Sequence, residues 1–99
     1  MISQHSQVVL PLAGALDVVG VTAAQKRLLA LELHPGDQLV LDLSGLHFMD
    51  STGIRLILQA REHAIRHGAG FVIVRGPETV MRVLELVGLD QQLKLVPSL

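Results

Sequence analysis

Asp50-Ser51-Thr52-Gly53 places a carboxylate, two hydroxyls and a glycine in four consecutive positions. Apolar residues from Leu39 to Leu43 precede it, and a helical pattern opens at Thr52. The stretch from Leu39 to Ile54 therefore reads as a buried strand, a short loop and a helix start. Free N–H groups at a helix start carry roughly half a positive charge and accept an anion readily. Asp, Ser and Thr are also the ordinary N-cap residues, and Gly53 permits a tight turn into the helix. Two readings follow: a plain cap, or a hydroxyl to which a phosphate is added and removed. A phosphoryl group would add about −1.5 to −2 charges. The helix N–H groups would tolerate it, so the surface charge would change without unfolding. The position lies beyond the carboxyl end of a central strand, where open α/β sheets place their sites.

Other chemistry finds less support. His63 and His67 have the i, i+4 spacing of a zinc pair, but no third ligand lies near them in sequence. Glu62 does not complete an H-E-x-x-H motif, and His5, His34 and His47 are scattered. No metal is assigned. A nucleophilic serine needs an oriented base, whereas His47 is four residues upstream in a loop and no G-x-S-x-G elbow occurs. Gly68-Ala69-Gly70 follows a helix and precedes a strand, the reverse of a nucleotide-binding order. The chain reads as a non-enzyme without a cofactor. Leu56 falls off the Ile54, Ile57, Leu58 stripe and lines up with Ala60 and His63. It is either a partly buried flank or, beside Arg55 and Gln59, the centre of a protein-binding patch next to Ser51.

The elements that must position these residues follow from periodicity. Val8 to Ala13 reads as a strand, placed at an edge or bulged because Pro11 lacks an N–H. Ile2 to His5 is a weak candidate to pair with it, and Gly14 to Asp17 turns the chain out of the sheet. Thr22 and Gln25 form a capping-box pattern for a helix carrying Ala24, Leu28 and Leu31, stopped by His34-Pro35-Gly36. Leu39 to Leu43, apolar apart from Asp42, reads as a strand covered on both sides. The second helix runs from about Thr52 to His67 with a stripe of Ile54, Ile57, Leu58, Ala64 and Ile65, and Gly68 caps it. Phe71 to Val74 is a strand, and Pro77 opens a helix with Val80, Val83, Leu84 and Val87 ended by Gly88. Leu93 and Leu95 suggest a last short strand. This alternation predicts one α/β domain over residues 1–99, with a largely parallel sheet of four to five strands.

Composition narrows the class. Of 99 residues, 49% are apolar but only Phe48 and Phe71 are aromatic, so the core must be aliphatic. The absence of cysteine excludes disulfides and thiolate sites and fits a reducing cytoplasm. A net charge of −1 provides no footprint for nucleic acid. No apolar run approaches the roughly 20 residues that span a bilayer, and the N-terminus lacks the regions of a signal peptide. A small soluble cytoplasmic domain, with neither nucleic acid nor membrane as partner, is expected.

Gly14-x-Leu16-Asp17, then Leu39 to Gly45, then Phe48-Met49-Asp50-Ser51-Thr52-Gly53 resemble STAS domains, and more narrowly the bacterial anti-sigma factor antagonists. The resemblance covers about Val8 to Val96. It implies a partner switch. The unphosphorylated antagonist binds an anti-sigma factor that is itself a GHKL-type serine kinase, and phosphorylation of Ser51 releases it. A metal-dependent serine phosphatase of the PP2C type restores the binding form. Ser51 carries over as phosphoacceptor, Asp50 as its immediate partner and Asp17 as a motif residue near the same loop. Partner binding would use Asp17, Asp50, Ser51, Thr52, Gly53, Arg55, Leu56 and Gln59. Two departures stand out. Thr52 replaces a frequent serine and offers an alternative acceptor, while Ala15 replaces a frequent glutamate and removes a charge from the binding face. Some STAS domains are instead unphosphorylated structural subunits, for instance beside the ATPase of bacterial lipid-transport systems. A small-ligand-binding α/β domain would need a lined pocket, and the sequence offers no convergent polar set beyond the loop.

Overall fold

A computed structural model describes residues 5–99. The elements are β1 (Gln7–Leu16), α1 (Val21–Leu29), β2 (Gln38–Met49), α2 (Ser51–Arg66), β3 (Gly70–Val74), α3 (Glu78–Leu86), a single 3-10 turn (Leu89–Gln91) and β4 (Leu95–Val96). The sheet has four strands in the order β1-β2-β3-β4, and every neighbouring pair is parallel. Parallel neighbours joined in sequence order by crossovers of one hand put all the helices on one face. Accordingly α1 packs on α2, and α2 on α3. The core lies between this helical layer and one sheet face, where Leu10, Leu12, Leu39, Leu41, Leu43 and Ile73 meet Leu28, Leu56, Ile57, Val80 and Leu84.

The helical layer thus covers β2 on one side only. On the other face Val40, Val72 and Val74 are still buried, while Val9 and Pro11 of the edge strand are exposed. Pro11 lies on an edge strand and beside a bulge, as its missing N–H requires. Pro11 pairs with Asp42 but Ala13 with Gly45, and Gly14 pairs with Leu46 but Ala15 with Phe48, so the extra residues fall on β2.

Several boundaries differ from the sequence expectation. β1 continues through Gly14 to Leu16 before turning, and β2 runs on to Met49 through the stretch expected to be loop. The Ile2–His5 strand lies outside the described residues except for His5, which is in no strand. The Thr22–Gln25 capping box does not form. α1 starts at Val21 after Gly20, and the Asp17 carboxylate accepts the Val19 and Gly20 N–H groups at 3.1 and 2.8 Å. Gln25 instead donates to Gln59 Oε1 at 2.8 Å, tying α1 to α2. α1 ends at Leu29, before His34, and Leu31 packs half-buried beyond it. On α3 Met81 is buried, while Val87, just past its last residue, is 55% exposed.

Opposite the Ser51 end of the sheet, Asp37 is buried and holds three segments together. Its carboxylate accepts the Ser6 N–H at 3.0 Å and the His34 N–H at 2.9 Å, while its backbone carbonyl accepts the Gly70 N–H at 2.8 Å. The Ser6 and His34 N–H groups hold its carboxyl below the usual carboxylate range, against the opposing pull of burial.

Candidate functional site

The carboxyl ends of β1 and β2 build the site. Leu16 pairs with Met49, and the Asp50 N–H donates to the Leu16 carbonyl at 3.4 Å. Asp17 and Asp50 therefore leave adjacent strand ends together. Each then organises the start of a helix, Asp17 for α1 and Asp50 for α2.

Asp50 is the N-cap of α2, in extended backbone, and its carbonyl accepts the Gly53 N–H at 3.0 Å. Its carboxylate accepts both the Thr52 N–H, at 2.9 Å, and the Thr52 hydroxyl. The Thr52 hydroxyl, then the Thr52 N–H, lower the Asp50 carboxyl below its ordinary range, so it is ionised at neutral pH. This cap divides the two hydroxyls. Thr52 is half-buried with its hydroxyl occupied. Ser51 is exposed, and its hydroxyl makes no hydrogen bond among the described residues.

Gly53 brings the start of α2 hard onto the strand ends. A Cβ there would run into the Met49 side chain, 2.8 Å from its Sδ, and come within 3.1 Å of Leu16 Cδ2. Only a glycine allows that approach without a shift.

Of the other expected partner-binding residues, Arg55 and Gln59 are exposed, and Asp17 is half-buried. Leu56, contrary to that expectation, is fully buried and cannot centre a surface patch. The buried face of α2 is Gly53, Leu56, Ile57, Ala60 and Ala64, while Ile65 is 67% exposed and Ile54 and Leu58 only flank the core. Gly53, Ala60 and Ala64 let the helix approach the sheet closely, which turns Leu56 inward. Burying Leu56 and Ile57 contributes about 1.5–3 kcal/mol each. The exposed Arg66–Glu62 pair at 3.7 Å contributes at most about 1 kcal/mol. Core packing therefore sets the rotation of α2.

The apolar exposure at this end comes from residues the sequence reading did not single out. Phe48 is 51% exposed at the end of β2, and Val18 and Val19 are 71% and 86% exposed in the turn leaving β1. The available signal was Phe48, one of two aromatics in the chain, two residues before Asp50. Between α1 and α2 lies an open groove of about 470 Å³ lined by Leu29, Arg55, Leu58, Gln59, Glu62, His63 and Arg66. A smaller cleft of about 200 Å³, reaching Thr52 and Val21, shares Arg55 and Gln59 with it.

The histidine pair on α2 is occupied by the backbone. His67 Nδ1 lies 2.8 Å from the His63 carbonyl, His63 Nε2 lies 3.4 Å from the Leu31 carbonyl, and the rings sit 4.6 Å apart. Among the described residues no three His, Asp or Glu side chains cluster as metal ligands, and no helix is long and apolar enough to cross a membrane.

Comparison with known proteins agrees with this architecture. The anti-sigma-F factor antagonist RsfB of Mycobacterium tuberculosis is 28% identical over 99 residues, covering 99% of this chain and 80% of that protein. The crystal structure of an anti-sigma factor antagonist from Mycobacterium paratuberculosis superposes with a TM-score of 0.82 at 28% identity, over 94% of this chain and 79% of that one. The unphosphorylated form of the anti-sigma factor antagonist SpoIIAA shares the fold, with a TM-score of 0.72 at 20% identity over 97% of this chain and 84% of that one. The family model of the STAS domain matches residues 1–99, and the chain belongs to that family.

Proposed function

We propose that this chain is an anti-sigma factor antagonist working by partner switching in the bacterial cytoplasm. Unphosphorylated, it binds an anti-sigma factor that is also a serine kinase of the GHKL type. Phosphorylation of Ser51 releases it, and a PP2C-type phosphatase restores the binding form. In the forward step the Ser51 hydroxyl oxygen forms a bond to the γ-phosphorus of ATP, the bond from that phosphorus to ADP breaks, and the serine proton passes to a base on the kinase. The observation that carries the reading is the division of the two hydroxyls by Asp50. Thr52 is held in the cap, whereas Ser51 stands exposed at the same helix start. Phe48, Val18 and Val19 supply exposed apolar area beside it, the kind of surface a protein partner covers. The relatives named as anti-sigma factor antagonists support the same role.

Incubation with the cognate kinase and Mg-ATP tests this. One phosphate is expected, mapped to Ser51 by peptide mass spectrometry and abolished in Ser51→Ala. Labelling on Thr52 alone would move the centre of the mechanism. No labelling at all would remove the switch and leave an unphosphorylated structural subunit.

A further inference from the structure

We infer that Arg55 is an internal clamp for the phosphate on Ser51, and that closing the clamp withdraws its guanidinium from the α1–α2 groove. The inference rests on the reading of Ser51 as phosphoacceptor. Ser51 and Arg55 stand at i and i+4 on α2, both exposed. Residues so spaced have Cβ atoms about 5–6 Å apart, and an anion placed N-terminal to a cation is the favourable order. Helical side chains lean toward the N-terminus, so Arg55 leans over the turn that carries Ser51. A guanidinium meets phosphate oxygens through two parallel N–H donors, a geometry lysine lacks.

Arg55 is also available. Among the described residues the arginine–carboxylate pairs are Arg66–Glu62 and Arg82–Glu78, and Arg55 is in neither. It lines the α1–α2 groove and the cleft reaching Thr52, so its guanidinium belongs to the groove until a stronger anion appears beside it. The groove's other arginine, Arg66, faces Glu62, and the His63 ring lies against the Leu31 carbonyl. A phosphate on Ser51 thus acts twice: it adds a dianion at the start of α2 and draws out of the groove an arginine that pairs with no carboxylate among the described residues.

The test uses full-length protein with phosphoserine incorporated at position 51 during translation, so the kinase need not be known. Phosphorus NMR follows the second ionisation of the phosphate, ordinarily near pH 6. Asp50 and Asp17 raise that pKa and the α2 N–H groups lower it, equally in every variant, so the difference between variants isolates position 55. The native phosphoprotein should titrate about half a unit below Arg55→Gln, with Arg55→Lys between them, and the gap should close near about 1 M salt. Leu29 and Leu58 methyl resonances in the groove should move with the phosphate titration in the native chain and stay still in Arg55→Gln. Arg55 is exposed, so melting of the unphosphorylated variants should match the native chain. Identical phosphate pKa values in the native and Arg55→Gln proteins would overturn the clamp. Failure of the kinase to label Ser51 would overturn the switch while leaving this titration as it stands.

Discussion

Asp50 makes two neighbouring hydroxyls chemically different. Its carboxylate holds the Thr52 N–H and hydroxyl together, which leaves Ser51 facing solvent. Asp50→Ala should therefore have two effects. Loss of the cap should lower the melting temperature by roughly 5 °C. The freed Thr52 hydroxyl should then accept a share of kinase labelling, read by peptide mapping. Labelling that stays wholly on Ser51 would show that the cap does not govern the choice. The tetrapeptide is legible in sequence because capping is local: residue types within four positions specify a helix start. The identity of the free hydroxyl is not legible, because it depends on which side chain turns back onto the carboxylate. Phe48, Val18 and Val19 were missed for a related reason. Exposure of an apolar side chain is settled by the neighbouring strand and turn rather than by its own identity.

At the scale of elements, alternation failed where β2 is bulged. Leu39, Leu41 and Leu43 keep a period of two, but the buried residues then become Leu46 and Met49, with two exposed residues before each. The register slips against β1 cause the change. A strand with two bulges therefore resembles a loop in sequence. The expected stripe of α2 holds at Ile57 and Ala64, flanks the core at Ile54 and Leu58, and fails at Ile65. The helix also buries Gly53, Leu56 and Ala60, using small residues to approach the sheet, and leaves Ile65 outside. Gly53→Ala tests that approach. Its methyl meets Met49 and Leu16 at the strand ends, and overpacking of this kind costs about 1–3 kcal/mol. Urea unfolding should show the loss. An unchanged midpoint would mean that Met49 moves aside freely and that the glycine does not set the position of Ser51.

Across the whole molecule, helices on one sheet face leave two ends with separate tasks. The carboxyl end presents Ser51, while at the other end Asp37 ties Ser6, His34 and Gly70 together. Folding lowers the carboxyl pKa of Asp37, and of Asp50, from an ordinary 3.8. A carboxyl with a depressed folded pKa contributes stability that is present above the unfolded value and is lost as pH falls through the folded one. The native chain should accordingly lose stability as pH drops below about 4. Asp37→Asn should be less stable than the native chain at pH 7, and the gap should narrow toward pH 3, measured by urea titration at both values. A gap independent of pH would assign the role of Asp37 to packing alone.

Charge is also distributed unevenly over the molecule. Lys26, Arg27, Arg55, Arg61 and Arg66 lie on α1 and α2 against Glu62 alone, so the remainder of the chain is net negative. Ser51 opens α2, one of these two net-positive helices, directly after the strand end that carries the exposed Phe48. A dianion introduced there must be desolvated by any partner that packs over a neutral hydroxyl, at a cost of several kcal/mol. Since 1.4 kcal/mol is tenfold in affinity, phosphorylation should weaken kinase binding by at least about a hundredfold. Ser51→Asp should fall between the two forms, carrying one charge and fewer acceptor oxygens. Titration calorimetry of the unmodified and phosphorylated proteins against the cognate anti-sigma kinase measures this directly. The switch predicts tight binding of the first and a loss of two orders of magnitude for the second, whereas equal affinity of the two forms would contradict it.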